Sequence, residues 1–295
     1  MPNPLELRRR IRSVDNTRQI TRAMQLVAAS RMRRAQEAVE SARPYTDQLT
    51  DVVHRLVVSC ASDQLPALLQ IRPIVRTAFV VMTTDRGLAG PLNTNIVRMA
   101  VAEMDEAGDA RDTSLLVVGR KGQVALAGKR NIHRDARGRD AVFTGLGDQP
   151  TIGDVAPVVR LVVDGYLGGQ FDEVRVIYPE FVNILTQRPC AVRVLPILLP
   201  HEREQGREAD VIFEPGSTAV LEAIVPRFVA MTLYRALLEL VASEQSARMV
   251  AMRAATENAT ELIEGLRRAY NKLRQSRITS EIIDIASGAT ALADV

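Results

Sequence analysis

The residues best placed to do chemistry are Asp85-Arg86-Gly87-Leu88-Ala89-Gly90-Pro91-Leu92-Asn93, which follow the apolar run Thr77–Thr83 and lead into a helical pattern from Leu92 to Ala107. A glycine-bearing turn between a strand and a helix lets backbone amides approach an anion, which is the chemistry of phosphate binding. Its spacing is neither GxGxxG nor GxxxxGKS, so a structural strand-to-helix turn is the favoured reading. Gly119-Arg120-Lys121-Gly122, after the second apolar run Ser114–Val118, reads likewise as a solvated turn. His54, His133 and His201 stand on different segments without the spacing of a triad or a metal site. Asp135 and Asp140 share a charged loop, where solvation accounts for them. Cys60 and Cys190 lie far apart with no CxxC, which argues against a disulfide scaffold or zinc and for a reducing compartment. No catalytic constellation emerges, and neither a cofactor nor a metal is expected.

The elements that would position such residues are unusual. Residues 5–58 and 217–288 both read as long, glycine-poor helices. At a rise of roughly 1.5 Å per residue the C-terminal run would extend on the order of 100 Å. Helices of that length cannot hide an apolar face inside a small domain, so they must be shielded by each other or by a partner. In the first, Leu7, Ile11, Val14, Thr21, Ala28, Met32, Ala35 and Val39 fall near a three-four repeat of mostly small or flexible side chains. Pro44 is expected to kink or locally break it. In the second, which Pro226 should interrupt early, the apolar seam runs through Leu233, Leu237, Val241, Met249, Met252, Ala259, Leu262, Leu266 and Leu273. The spacing then slips around Gln275-Ser276-Arg277 before resuming at Ile278, Ile282 and Ile285. Such a slip turns the seam, so the last segment faces a different neighbour.

Between the helices the runs Thr77–Thr83, Ser114–Val118, Val174–Ile177 and Val192–Leu195 alternate with helical patterns at Leu92–Ala107 and Thr151–Leu167, which suggests a small open, doubly wound α/β sheet. His201–Asp210 reads as a solvated loop and Phe213-Glu214-Pro215-Gly216 as the turn that launches the last helix. The resulting division is an N-terminal coiled-coil helix over 1–62, a Rossmann-like α/β domain over 70–205 and a C-terminal coiled-coil helix over 213–295. The 295 residues are 46% hydrophobic, enough for a real core, and only 4% aromatic with no Trp, as aliphatic helix pairs require. Lysine occurs only at Lys121, Lys129 and Lys272, so arginine carries nearly all of the 38 basic charges. Arginine crowds the first helix but goes all round it without interleaved aromatics, which argues against nucleic-acid binding. No stretch reaches the roughly 18 apolar residues of a membrane span, and a soluble or peripheral chain is expected. An independent nucleotide-binding enzyme and a coiled-coil adaptor remain as rival classes.

Ile20-Thr21-Arg22-Ala23-Met24-Gln25-Leu26-Val27-Ala28-Ala29-Ser30-Arg31-Met32-Arg33-Arg34-Ala35-Gln36 closely resembles the N-terminal signature of the gamma subunit of F-type ATP synthase, bacterial type. Three further segments resemble that family in the same order: the Asp85–Asn93 loop, Ser243–Arg253 and Tyr270–Ile282. The resemblance implies a non-catalytic rotor shaft. Its terminal helices would wind as an antiparallel coiled coil through a ring of three alpha and three beta subunits, above a Rossmann-like foot. Catalytic sites would lie on the beta subunits. It further implies that Arg274, Gln275, Thr279 and Glu281, together with the region of Met24 and Arg248, meet the surrounding ring. The turn at Phe213 and Glu214 would meet the epsilon subunit and the membrane c-subunit ring. The expected location is the cytoplasmic side of the cell membrane, peripheral, without direct insertion and without nucleic acid. Ala89 and Pro91 stand where the family often has Cys and Gly, which weakens a backbone anion site further, and the inserted cysteine pair of chloroplast forms has no counterpart.

Overall fold

The computed structural model describes residues 4–58, 60, 65–107, 112–128, 132, 140–197 and 216–293. The elements run α1 (Pro4–Val58), β1 (Arg76–Met82), α2 (Leu92–Ala107), β2 (Asp112–Val118), α3 (Arg120–Leu126), β3 (Val142–Phe143), α4 (Ile152–Leu167), β4 (Glu173–Phe181), β5 (Gln187–Leu195) and α5 (Ser217–Ala293). The chain divides into two compact units, one of Met1–Ala28 with Met249–Val295 and one of Ala29–Arg248.

The stripe read from the sequence of α1 is the one that is buried. Leu7, Thr21, Ala28, Met32, Ala35 and Val39 are buried, and the same steps of three and four continue through Thr46, Leu49, Val53 and Leu56. Glu6 in the first turn and Arg55 in the last suit the helix dipole. α1 continues through Pro44 without the local break that is one of its two expected effects, and Pro226 does not interrupt α5 as expected. Each proline deprives the carbonyl four residues earlier of its donor, and those carbonyls belong to Glu40 and Glu222, both exposed, where water can serve.

In the first unit, Leu7, Ala28, Met252, Ala259 and Ile263 are buried, and the Thr21 and Thr256 hydroxyls share a hydrogen bond of 2.8 Å. Burial along α5 fades within this unit. Leu273 is half-buried, and every side chain described from Arg274 onward is exposed.

The second unit holds a five-stranded sheet in the order β3-β2-β1-β4-β5, parallel except for β5, which runs antiparallel to β4. β1 is buried at every position after Arg76, as a central parallel strand covered on both faces must be. Thr151 and Asp154 close a capping box at the start of α4. Two elements differ from the sequence reading: the turn at Gly119–Gly122 opens the helix α3, and Val142–Phe143 adds an edge strand. From Met231 to Arg248 no residue of α5 is exposed. Leu233, Ala236, Leu237 and Leu240 belong to the same core as β1, β2 and β4, while Leu238, Val241 and Ala242 pack with Ala35, Val39 and Phe181.

At the edge of the core where β1 begins, Asp172 accepts N–H bonds from Val75 (3.2 Å) and Arg76 (2.9 Å) and two more from the Arg76 guanidinium (3.2 and 3.1 Å). Arg72 stacks on the Tyr166 ring at 4.1 Å and donates to the Tyr166 and Phe171 carbonyls. Burial alone would raise the Asp172 carboxyl, but its bonds from the Arg76 side chain and from the backbone of Arg76 and Val75 outweigh this and hold it below the usual carboxylate range. The folded chain therefore binds this proton less readily than the unfolded chain. The stabilisation is present above the ordinary carboxylate pKa and is lost as pH falls through the depressed value. Asp172→Asn is expected to lower stability at neutral pH and to flatten its fall below about pH 4, as read from urea unfolding at a series of pH values.

Candidate functional site

In an open sheet the ligand crevice lies beyond the carboxyl ends of the strands where the chain order reverses, here between β1 and β4. The loop leaving β1 at that point is the one the sequence singled out. Its Asp85 carboxylate accepts N–H bonds from Arg120 (3.0 Å), Gly145 (2.8 Å) and Leu146 (2.9 Å). Amides that a phosphate could have used are thus already bound to an anion of the chain's own. Asn93 at the start of α2 accepts from the Thr84 N–H at 3.1 Å and donates to the Thr84 hydroxyl at 2.9 Å, closing the turn from the other side. Leu88 holds a positive φ of 64° with its side chain 61% exposed, so packing within the described chain does not require that conformation.

The crevice itself is filled. A cavity of only about 20 Å³ remains between Thr83, Thr84, Asp85, Arg86, Leu146–Asp148 and the α5 residues Leu237, Leu240, Val241 and Glu244. A small-molecule pocket takes roughly 300 Å³ or more, so no nucleotide fits while α5 is seated. The structural-turn reading of Asp85–Asn93 is the one this geometry supports.

The segment of α5 that plugs the crevice carries a buried polar face, bonded to the end of β4, to loops of the sheet and within the helix itself. Glu239 accepts the Phe181 N–H at 3.3 Å and the Arg235 guanidinium at 3.0 Å. Ser243 donates to the Pro179 carbonyl at 3.2 Å and Ser246 to the Ile184 carbonyl at 2.6 Å, gripping the hairpin between β4 and β5. Arg248 donates to the Gly87 carbonyl at 3.1 Å, to Gln245 at 3.2 Å and to Glu244 at 2.5 Å. Gln245 donates to Asp148 at 3.3 Å, and Asp148 also receives Arg31 of α1 at 2.5 Å and Arg86 at 3.5 Å. Burial pushes the Glu244 carboxyl above the usual range in spite of Arg248 beside it. Burial, with Glu239 and Cys190 nearby, pushes the Tyr178 phenol up strongly, and burial raises the Cys190 thiol as well. A raised, half-buried thiol is a poor nucleophile.

The residues expected to contact partners fall into three settings. Arg248 is buried in the network just described. Met24 is half-buried on α1, and Arg274, Gln275, Thr279 and Glu281 are exposed on α5, where Thr279 donates to the Gln275 carbonyl at 2.9 Å and Glu281 pairs with Arg277 at 3.1 Å. Phe213 and Glu214 lie outside the described residues, as do His133, His201 and Asp135. Sequence reasoning missed Asp148 and Arg31 as network members. Asp148 stands in a glycine-containing loop with no periodicity, and Arg31 is one arginine among many, so neither carried a signal.

The fold and site together define an α/β protein whose ligand crevice is plugged by one of two long terminal helices, with that helix's polar groups spent on holding the sheet's loops. A family model described as ATP synthase matches residues 3–292. The ATP synthase gamma chain of Roseiflexus castenholzii is 47% identical over 297 residues, with 100% of both chains covered. That of Desulforamulus reducens is 43% identical over 294 residues, covering 99% of this chain and 100% of the relative. Among solved structures, the rotor of the Euglena gracilis mitochondrial ATP synthase matches with a TM-score of 0.62 at 19% identity, over 93% of this chain and 98% of that one. The central stalk and c-ring structure from Tetrahymena thermophila matches with a TM-score of 0.58 at 23% identity, over 80% and 99%. The chain belongs to the ATP synthase gamma chain family.

Proposed function

We propose that the chain is the central rotor stalk of a proton-translocating F-type ATP synthase, carrying torque between a membrane c-subunit ring and a catalytic ring of three alpha and three beta subunits. The observation that carries this is the end of α5. Beyond Leu273 its described side chains are all exposed, including Ile278, Ile282, Ile283 and Ile285, beside the polar Arg274, Gln275, Thr279 and Glu281. An apolar helix end costs the chain solubility unless a partner covers it. A sleeve of ring subunits fits the isoleucines, and Arg274 and Glu281 supply directional, charge-assisted contacts. In this reading α1 and α5 form an antiparallel coiled coil mounted on the α/β domain. The epsilon subunit and the c-ring meet the turn at Phe213 and Glu214, and the assembly sits peripherally on the cytoplasmic side of the cell membrane. No helix among the described residues is long and apolar enough to cross a membrane.

The chain performs no bond chemistry in this role. An asymmetric helix end biases the ring subunits by contacting one conformation better than another, and a differential contact energy is the only means by which a bound element shifts such an equilibrium. Co-purification with a tagged chain tests the reading. A complex with three alpha and three beta subunits is expected, and a homodimer or a free monomer would overturn it. Arg274→Ala with Glu281→Ala is expected to leave the unfolding midpoint of the chain unchanged, because both side chains are exposed, and to reduce ATP-driven proton pumping several-fold, by roughly the 0.5–2 kcal/mol of a coupling residue. Unchanged pumping in the reconstituted complex would remove these two residues from the contact.

A further inference from the structure

We infer that Asp148 is a positioning residue that ties α1, α5 and the β1–α2 loop at one carboxylate, so that force along either long helix has a direct path into the 145–148 loop of the α/β domain. The inference rests on the stalk reading for its purpose, though not for its geometry. Asp148 has two oxygens and three elements to hold: Oδ2 takes Arg31 of α1 at 2.5 Å, and Oδ1 takes Gln245 of α5 at 3.3 Å and Arg86 of the β1–α2 loop at 3.5 Å. Its own loop is fixed two and three residues earlier, where Asp85 holds the Leu146 and Gly145 amides. One path therefore runs from the end of β1 through Asp85 to the 145–148 loop, and through Asp148 to α1 and α5.

The apolar packing between α1 and α5 does different work. Ala35 and Val39 meet Leu238, Val241 and Ala242 through small apolar surfaces. These resist separation, and the driving force that assembles them has no preferred direction. Beside them lies a cavity of about 310 Å³ bordered by Ala35, Ala38, Asp148, Pro150, Leu238 and Val241. On that side the loop and α1 are not braced by close packing, and the charge-assisted bonds of Asp148 make the directional contact. The Arg31–Asp148 pair is about one-third exposed on each side, 33% and 30%, and pairs so exposed add little to folding stability. Geometry and energetics thus separate two roles: a small part in holding the fold, and a specific part in holding orientation.

Asp148→Ala, Asp148→Asn, Arg31→Gln and the double variant Arg31→Gln/Asp148→Asn test this in two ways. In the full chain, hydrogen exchange of the 145–148 amides should quicken by about tenfold in Asp148→Ala with the global unfolding midpoint unchanged. Unchanged exchange overturns the lock whatever the chain's function. In the complex reconstituted in vesicles, ATP hydrolysis without load should stay near the wild-type rate. Protons pumped per ATP against an opposing membrane potential should fall by about threefold or more. Arg31→Gln should give a fall in the same direction, and the double variant should fall by less than the two single changes added, since the Arg31–Asp148 contact is lost in each. Quickened exchange with normal pumping under load overturns the role in force transfer. Failure of the wild-type chain to enter any complex would instead sink the stalk reading, and the exchange experiment would still decide on the lock.

Discussion

Arg248→Ala is expected to destabilise the chain by about 3–5 kcal/mol, the range for removing one partner of a buried ion pair. Arg248 is only 7% exposed, and its guanidinium serves the Gly87 carbonyl, Gln245 and the Glu244 carboxylate at once. Without it Glu244 is left buried, and burial, with the Asp148 charge adding to it, already raises the Glu244 carboxyl. The pH dependence follows from that direction. A carboxyl whose folded pKa is raised binds its proton more tightly in the folded chain, so its contribution is greatest at low pH and is lost as pH rises through the folded value. The deficit of Arg248→Ala should therefore shrink in acid and widen toward neutral pH. Glu244→Gln placed in the same chain should recover a substantial part of the loss, because it removes the stranded charge. Urea midpoints of the three variants at acid and neutral pH measure this, and a pH-independent deficit would mean that lost packing and not stranded charge is the cause.

Gly119→Ala should be the most damaging single methyl addition at the switch point. A Cβ at this position would stand 2.1 Å from the Thr83 carbonyl oxygen and 2.8 Å from the Thr83 hydroxyl, on a backbone with φ of +92°. Neither atom can yield. The Thr83 hydroxyl donates to the Val118 carbonyl at 2.8 Å and accepts the Gly122 N–H at 2.7 Å, and the Thr83 amide donates to Val118 at 2.8 Å. Either the end of β1 or the start of α3 must move, and with it the Asp85 bonds to Arg120, Gly145 and Leu146. A loss beyond about 4 kcal/mol is expected, visible as failure to accumulate soluble chain, and a second variant, Gly128→Ala, provides the control. Gly128 also has a positive φ, of 74°, but its Cβ would meet nothing within 4 Å, so only the conformational strain of about 1–2 kcal/mol applies. Equal behaviour of the two variants would show that steric contact with Thr83 is not what decides.

The sequence made the helices legible because their signal is long. A three-four stripe repeated from Leu7 to Val39 leaves little freedom, and its positions are buried or, at Ile11 and Val14, half-buried. Short elements carry no such redundancy. Seven residues of α3 cannot display a period, and its early donors find tertiary acceptors that no local pattern reveals: Lys121 N–H to the Thr84 carbonyl at 3.0 Å and Gly122 N–H to the Thr83 hydroxyl. Pro44 and Pro226 misled because a missing N–H matters only where its carbonyl lacks water. The polar run Ser243–Arg248 was legible as a motif but not as a buried one. The resemblance implies a contact with the surrounding ring for the region of Arg248, and burial within the chain is not part of that expectation. Groups brought up from residues 87, 148, 179 and 184, far away in sequence, bury it, and no local pattern reveals them.

The all-round burial of Met231–Arg248 sets a condition on how the chain is made. Every strand of the sheet leaves the ribosome before the helix that fills the crevice between β1 and β4. At roughly 5–20 residues per second, the interval from the end of α1 to the synthesis of Met231 is on the order of ten seconds or longer. Through that interval the first helix lacks the α5 residues that cover its stripe, and once β4 is made the sheet holds an open apolar cleft until Met231–Arg248 arrives. The α/β region cannot finish folding until this segment has emerged, and the final packing inserts a late segment of the chain into a sheet made before it.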